Sequence, residues 1–188
     1  MRIVLVLAGL VLLGVPVSAQ QPAFEHKVLA TSKTSTMEKE LNAAADAGYR
    51  FQHVMGGESA IGGQEVVVIM SRVQPSSSRY SYRLLATSKT STMQKELQAA
   101  ADAGFVYRGQ TVFGSTFGGD EVVVILERDK ESVDTKFDYR LLATTKTSTL
   151  ETELRHAGAD GYEVVGMTVG NTAIGGTELV AITRRMRP

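Results

Sequence analysis

One segment of this chain is written three times, and that constrains the fold more than any other feature. Residues 27–72 read KVLATSKTSTMEKELNAAADAGYRFQHVMGGESAIGGQEVVVIMSR. Residues 83–128 read RLLATSKTSTMQKELQAAADAGFVYRGQTVFGSTFGGDEVVVILER, and 140–185 read RLLATTKTSTLETELRHAGADGYEVVGMTVGNTAIGGTELVAITRR. The copies align without a gap, joined by the polar connections VQPSSSRYSY (73–82) and DKESVDTKFDY (129–139). A period of this length marks an architecture in which each repeat is one supersecondary unit.

Each unit parses into β-α-β-β. Val28-Leu29-Ala30, Leu84-Leu85-Ala86 and Leu141-Leu142-Ala143 open it as a strand. Met37, Leu41, Ala44 and Ala45 then follow the i, i+4, i+7, i+8 stripe of a one-sided helix. Gly48, Gly104 and Gly161 end that helix, because glycine enters the left-handed conformation without a Cβ penalty. An alternating segment such as Tyr49-Arg50-Phe51-Gln52 reads as a half-buried strand. After a glycine-rich turn comes the most apolar run, Val66–Met70, Val122–Leu126 and Leu179–Ile182, which belongs at the centre of its sheet because both its faces are apolar. The predicted class is α+β, with three tandem repeats (24–73, 80–129 and 137–186), each a three-stranded, mainly antiparallel sheet with one helix.

The phrase ATSKTSTM, at 30–37 and 86–93, and its near copy ATTKTSTL at 143–150 invite two readings. Ser35, Ser91 and Ser148 stand three residues before Glu38, Gln94 and Glu151, the spacing of a capping box. The functional alternative is an anion held at the helix N-terminus by Lys33, Lys89 and Lys146. A phosphate loop pairs its lysine with a glycine cradle, and this phrase has no glycine, so capping is the expected role.

The glycine-rich turns carry a second candidate contact. Ile61, Phe117 and Ile174 each precede a Gly-Gly pair at a hairpin tip, where polar residues are the rule. They are expected to pack on a neighbouring repeat or to touch a partner. No catalytic, metal or cofactor constellation emerges. His26, His53 and His156 occupy different positions in their units, and the chain has no cysteine. Glu65, Glu121 and Glu178 recur at a strand start, and Glu40, Glu96 and Glu153 on the helix, both ordinary places for solvated carboxylates. No G-x-S-x-G elbow is present.

The chain opens MRIVLVLAGLVLLGVPVSA: one basic residue, an apolar run, then Val17-Ser18-Ala19. That layout predicts a signal peptide over 1–19, cleaved after Ala19, and an exported protein, periplasmic or secreted. The run is too short, and broken by Pro16, to predict a membrane span. Net charge is zero over 188 residues, which argues against a nucleic-acid partner. Without disulfides, packing alone must hold the repeats. Val67 and Ile69, Val123 and Ile125, and Val180 and Ile182 need burial on the second face of each sheet. The three sheets are therefore expected to pack together, an approximate threefold axis being one such arrangement.

Each unit is introduced by a phrase such as Phe24-Glu25-His26-Lys27-Val28 or Tyr80-Ser81-Tyr82-Arg83-Leu84, and the third helix ends in Gly161-Tyr162-Glu163-Val164-Val165. In these residues each copy resembles the small bacterial β-α-β-β domains of unknown function that read "(W/Y)-E-Y-K-V-V … L-x-x-x-L-x-x-x-G-x-x-G-W/Y-E-L-V". Arg50 and Val106 stand where that pattern has Glu. The resemblance implies the same fold and a bacterial origin, and carries no catalytic residues. The expected function is a non-enzymatic structural or protein-interaction module with an unidentified protein or small-molecule partner. The alternative is a ligand or anion binder using the helix starts or the glycine-rich turns.

Overall fold

A computed structural model describes residues 23–58, 63–114, 120–132, 136–171 and 177–187. The predicted signal peptide and the turn residues Ile61, Phe117 and Ile174 lie outside them. The first repeat consists of β1 (Phe24–Thr31), α1 (Thr34–Asp46), β2 (Arg50–Glu58) and β3 (Gln64–Val73). The second consists of β4 (Tyr80–Thr87), α2 (Thr90–Asp102), β5 (Val106–Gly114) and β6 (Asp120–Asp129). The third consists of β7 (Phe137–Thr144), α3 (Thr147–Ala159), β8 (Glu163–Asn171) and β9 (Thr177–Met186). Each repeat forms one antiparallel three-stranded sheet, ordered β1-β3-β2, β4-β6-β5 and β7-β9-β8, so the apolar last strand is central as its composition predicts.

The helix ends follow the glycines. Gly48, Gly104 and Gly161 have φ of 83°, 81° and 82°. The Tyr49 N–H donates to the Ala44 carbonyl and the Gly48 N–H to that of Ala45, which closes a Schellman motif that recurs in both other repeats. The helix starts differ from expectation. Each helix begins at the threonine before the expected serine cap, and Lys33, Lys89 and Lys146 are the N-cap residues, in extended conformation and without a side-chain cap bond. The turn is made by the preceding strand. Thr31 Oγ1 accepts from the Lys33 N–H at 3.1 Å, and Thr87 and Thr144 do the same for Lys89 and Lys146. That turn brings the helix in early, so Ser35 lies within its first turn and Glu38 is released for another bond.

The repeats stack as alternating layers. The face of each sheet that meets its own helix is called inner, the opposite face outer. Leu29, Val66, Val68 and Met70 of the first inner face share one core with Met37, Leu41, Ala44 and Ala45 of α1. That same core takes in Tyr82, Leu84, Ala86, Val123 and Ile125 from the outer face of the second sheet. α2 does likewise, joining Leu85, Val124 and Leu126 to Tyr139, Leu141 and Ile182 of the third. The order is therefore sheet, helix, sheet, helix, sheet, helix. Each internal helix buries two faces, which one marginal repeat of this size could not manage alone.

A threefold ring would lay α3 on the outer face of the first sheet. Instead Ile69 of that face is 39% exposed, whereas its counterparts Ile125 and Ile182 are fully buried. Among the described residues, the stack is open at both ends.

Candidate functional site

The two internal junctions show how these repeats recognise one another. β4 and β7 are edge strands, and edges expose backbone groups that invite unwanted pairing. The preceding helix caps them with side chains. Asn42 on α1 donates to the Tyr82 carbonyl and accepts from the Tyr82 N–H, both at 2.9 Å. Glu38 Oε2 accepts from the Leu84 N–H at 2.8 Å. On α2, Gln98 spans the Phe137 carbonyl and the Tyr139 N–H, while Gln94 spans the Tyr139 carbonyl and the Leu141 N–H. Glu38 and Gln94, expected to cap their own helices, thus bind the next repeat.

Tyrosine completes each junction. The Tyr82 hydroxyl accepts from the Phe51 N–H, and the Tyr139 hydroxyl from the Tyr107 N–H, each at 2.8 Å. Burial raises both phenols above the ordinary tyrosine range, and burial pushes Tyr107 up to about 12. Aromatic rings of one repeat also enter hollows over glycines of the next. Phe51 Cζ lies 3.0 Å from where a Cβ on Gly109 would stand, and the Tyr107 hydroxyl crowds the corresponding point on Gly166.

Among the described residues, the first junction alone contains a buried ion cluster. Glu127, 2% exposed, accepts from Arg50 Nη2 at 2.9 Å and Arg108 Nε at 2.9 Å, and from the Tyr82 hydroxyl at 2.8 Å. Arg108 is the additional residue of a β-bulge between Tyr107 and Gly109, which turns its side chain towards Glu127. Arg50 also stacks on the Tyr80 ring at 4.4 Å. Two half-exposed guanidiniums beside an open polar cleft of about 290 Å³ resemble an anion site. Their inner nitrogens are committed to Glu127, however, and the arrangement is complete as an ion cluster.

The helix-start lysines are not assembled into one site. Lys33, Lys89 and Lys146 are each exposed at the start of their own helix, one in each layer. Lys89 borders a small cleft between the second and third repeats, with Thr87, Thr90, Asp120 and Glu178 in its wall. Thr90 donates to Glu178 at 3.3 Å, and two carboxylates in the wall oppose the field that an anion requires. No group of three or more acidic or histidine side chains able to hold a metal occurs among the described residues. No described helix is long and apolar enough to cross a membrane.

Among the described residues, the exposed large apolar side chains gather at the two ends. The outer face of the first sheet presents Phe24, Val28, Met55 and Ile69, with Val28 63% exposed. Val28 and His53 lie directly beside Ile69 in register, so these side chains form one row across three strands. At the other end, Leu154 of α3 is half exposed, although its counterparts Leu41 and Leu97 are fully buried. Val164, Met167 and Val169 of β8 share the inner face and are each more than half exposed. Sequence reading missed both ends and the Glu127 cluster. The available signal was disagreement between copies: Glu127 aligns with Ser71 and Arg184, Arg50 with Val106 and Glu163, and Asn42 with Gln98 and Arg155. Comparison with protein-family models, curated proteins and solved structures yields no match.

Proposed function

We propose that this chain is an exported, non-enzymatic interaction module whose binding surface is the uncovered outer face of its first sheet. The observation that carries this reading is one aligned position, isoleucine in all three repeats. It is buried at residues 125 and 182 under a helix and open at residue 69. A sheet with two apolar faces needs a layer on each, and large exposed apolar patches mark places where another molecule docks. The N-terminal layout supports export, and the neutral charge supports a protein partner over a nucleic acid. The anion-binding alternative is weaker, because the lysines it needs are dispersed over three layers and the cleft beside Lys89 is lined by Asp120 and Glu178.

Site-specific photo-crosslinking in the exporting cell tests the reading. A crosslinker replacing Ile69 should yield protein adducts, whereas one replacing exposed Lys33 should yield none. Absence of any protein adduct from position 69 would overturn it.

A further inference from the structure

We infer that the partner is a second copy of this chain, docked head to tail, with the third repeat of one molecule covering the first sheet of the next. This rests on the interaction-module reading and names its partner. The same junction is built twice inside the chain, from a helix, an inner sheet face and the outer face of the following sheet. Among the described residues, one half of that junction stands at each end of the stack: an outer face without a helix, and a helix without an outer face. The third repeat's helix and inner face match the first sheet's outer face because that pairing continues an interface already present twice among the described residues.

The polar parts also correspond. Glu151 aligns with Glu38 and Gln94, which accept the N–H of Leu84 and Leu141, and the residue aligned with those leucines is Val28. Glu151 is exposed, held only at the surface by Arg155 at 3.3 Å. Arg155 replaces the amides of Asn42 and Gln98. It can donate to a β1 carbonyl as they do, but cannot accept the adjacent N–H. The steric partners are exchanged in size. Internal junctions set Phe51 or Tyr107 over a glycine, and the end-to-end junction sets Val164, a smaller residue, against His53. Val164 and Met167 then cover His53 and Met55, both exposed in the single chain.

With one accepting group fewer, this contact is weaker than the internal ones and forms reversibly. Because it joins unlike surfaces, it builds a ring if the rotation closes and a filament if it does not.

Sedimentation of the purified chain tests the inference. Average mass should rise with concentration up to roughly 0.5 mM, a range in which any Kd tighter than millimolar registers. Val28→Lys blocks the first-sheet face and Met167→Lys the β8 face. Both positions are exposed, and circular dichroism should show both variants folded. Each variant alone should associate at least tenfold more weakly than the parent chain. Mixed together they should form a one-to-one complex and nothing larger, because each keeps the face the other has lost. A parent chain that stays monomeric throughout overturns the inference. So does association that Val28→Lys abolishes and Met167→Lys leaves unchanged, since that describes two first sheets meeting face to face. If adducts at position 69 consist of a different protein and none have twice the chain mass, head-to-tail docking fails while the interaction module stands. If position 69 gives no protein adduct, both fail.

Discussion

The junction between the first and second repeats and the junction between the second and third share a backbone plan but differ in how they treat charge. In the first, Glu127 is sealed between Arg50, Arg108 and Tyr82. In the second, the aligned positions hold Arg184, Val106, Val165 and Tyr139. Arg184 bonds the exposed Glu163 at 2.8 Å and stacks on Phe137 at 4.6 Å. The stack therefore forms with or without a buried ion cluster. Apolar layering supplies the shared adhesion, and the cluster makes one junction unlike the other. Buried ions contribute little net stability and more to which surfaces accept each other. A chain of near-identical repeats gains from such a distinction, because mispaired layers are its natural folding error.

Removing both arginines should break this comparison most sharply. Arg50→Ala with Arg108→Ala strands the buried Glu127 carboxylate and should cost about 3–5 kcal/mol in urea unfolding. Arg184→Ala, at the position aligned with Glu127, loses a surface pair worth less than about 1 kcal/mol. Equal losses for the two variants would show that the cluster is not the distinguishing feature.

Close backbone approach gives the next effect. A Cβ on Gly56 would run into the Val112 carbonyl oxygen, and the Gly56 N–H already donates to Thr111 Oγ1 at 2.6 Å. Gly56→Ala must separate β2 from β5 and should cost about 1–3 kcal/mol. Gly57→Ala meets nothing within 4 Å and should change stability by less than about 0.5 kcal/mol. Thermal melts of the pair separate a junction effect from a strand effect.

The edge-capping amides should be worth less and should be alike at the two junctions. Asn42→Ala and Gln98→Ala each leave part-buried backbone groups on the next strand without their partner, at about 1–2 kcal/mol. Arg155→Ala, at the open end, should leave the isolated chain's melt unchanged. A loss there as large as at Asn42 would mean that the third helix is already covered.

Alkaline pH gives the most diffuse effect, because it acts on both junctions at once. Burial raises Tyr82, Tyr107 and Tyr139, so unfolded phenols ionise first, from roughly pH 10. Stability is fully present below that pH and declines as pH rises towards about 12, where Tyr107 ionises in the folded chain. Melts from pH 8 to 12 should show a fall in Tm concentrated above pH 10, and no fall there would mean the phenols are not buried in solution. Tyr82 should titrate last, since Glu127 adds to the burial, whereas Arg184 and Arg108 oppose it at Tyr139.

Local chemistry was readable in the chain because it is enforced within a few residues. The stripe Met37, Leu41, Ala44 and Ala45 is buried as its spacing requires, and Gly48 turns the chain out of α1. The reading failed where a side chain had two available partners. Glu38 has the spacing of a helix cap, yet it bonds Leu84 of the next repeat, because Thr31 had already made the turn. The Arg50–Glu127 pair was hidden for a related reason, since 77 positions separate its members and no local pattern links them.

By itself the sequence determined the β-α-β-β unit, its threefold repetition and the central place of the apolar strand. Hydrophobic period, glycine conformation and chain identity act over short distances. The tertiary structure decided that α1 and α2 each serve two sheets and that the described stack runs open-ended, leaving Val28 and Ile69 at one end and Leu154 and Met167 at the other. Three nearly identical units must behave nearly identically in isolation. Position in the stack, which no single unit encodes, is what makes the same isoleucine a core residue twice and a surface residue once.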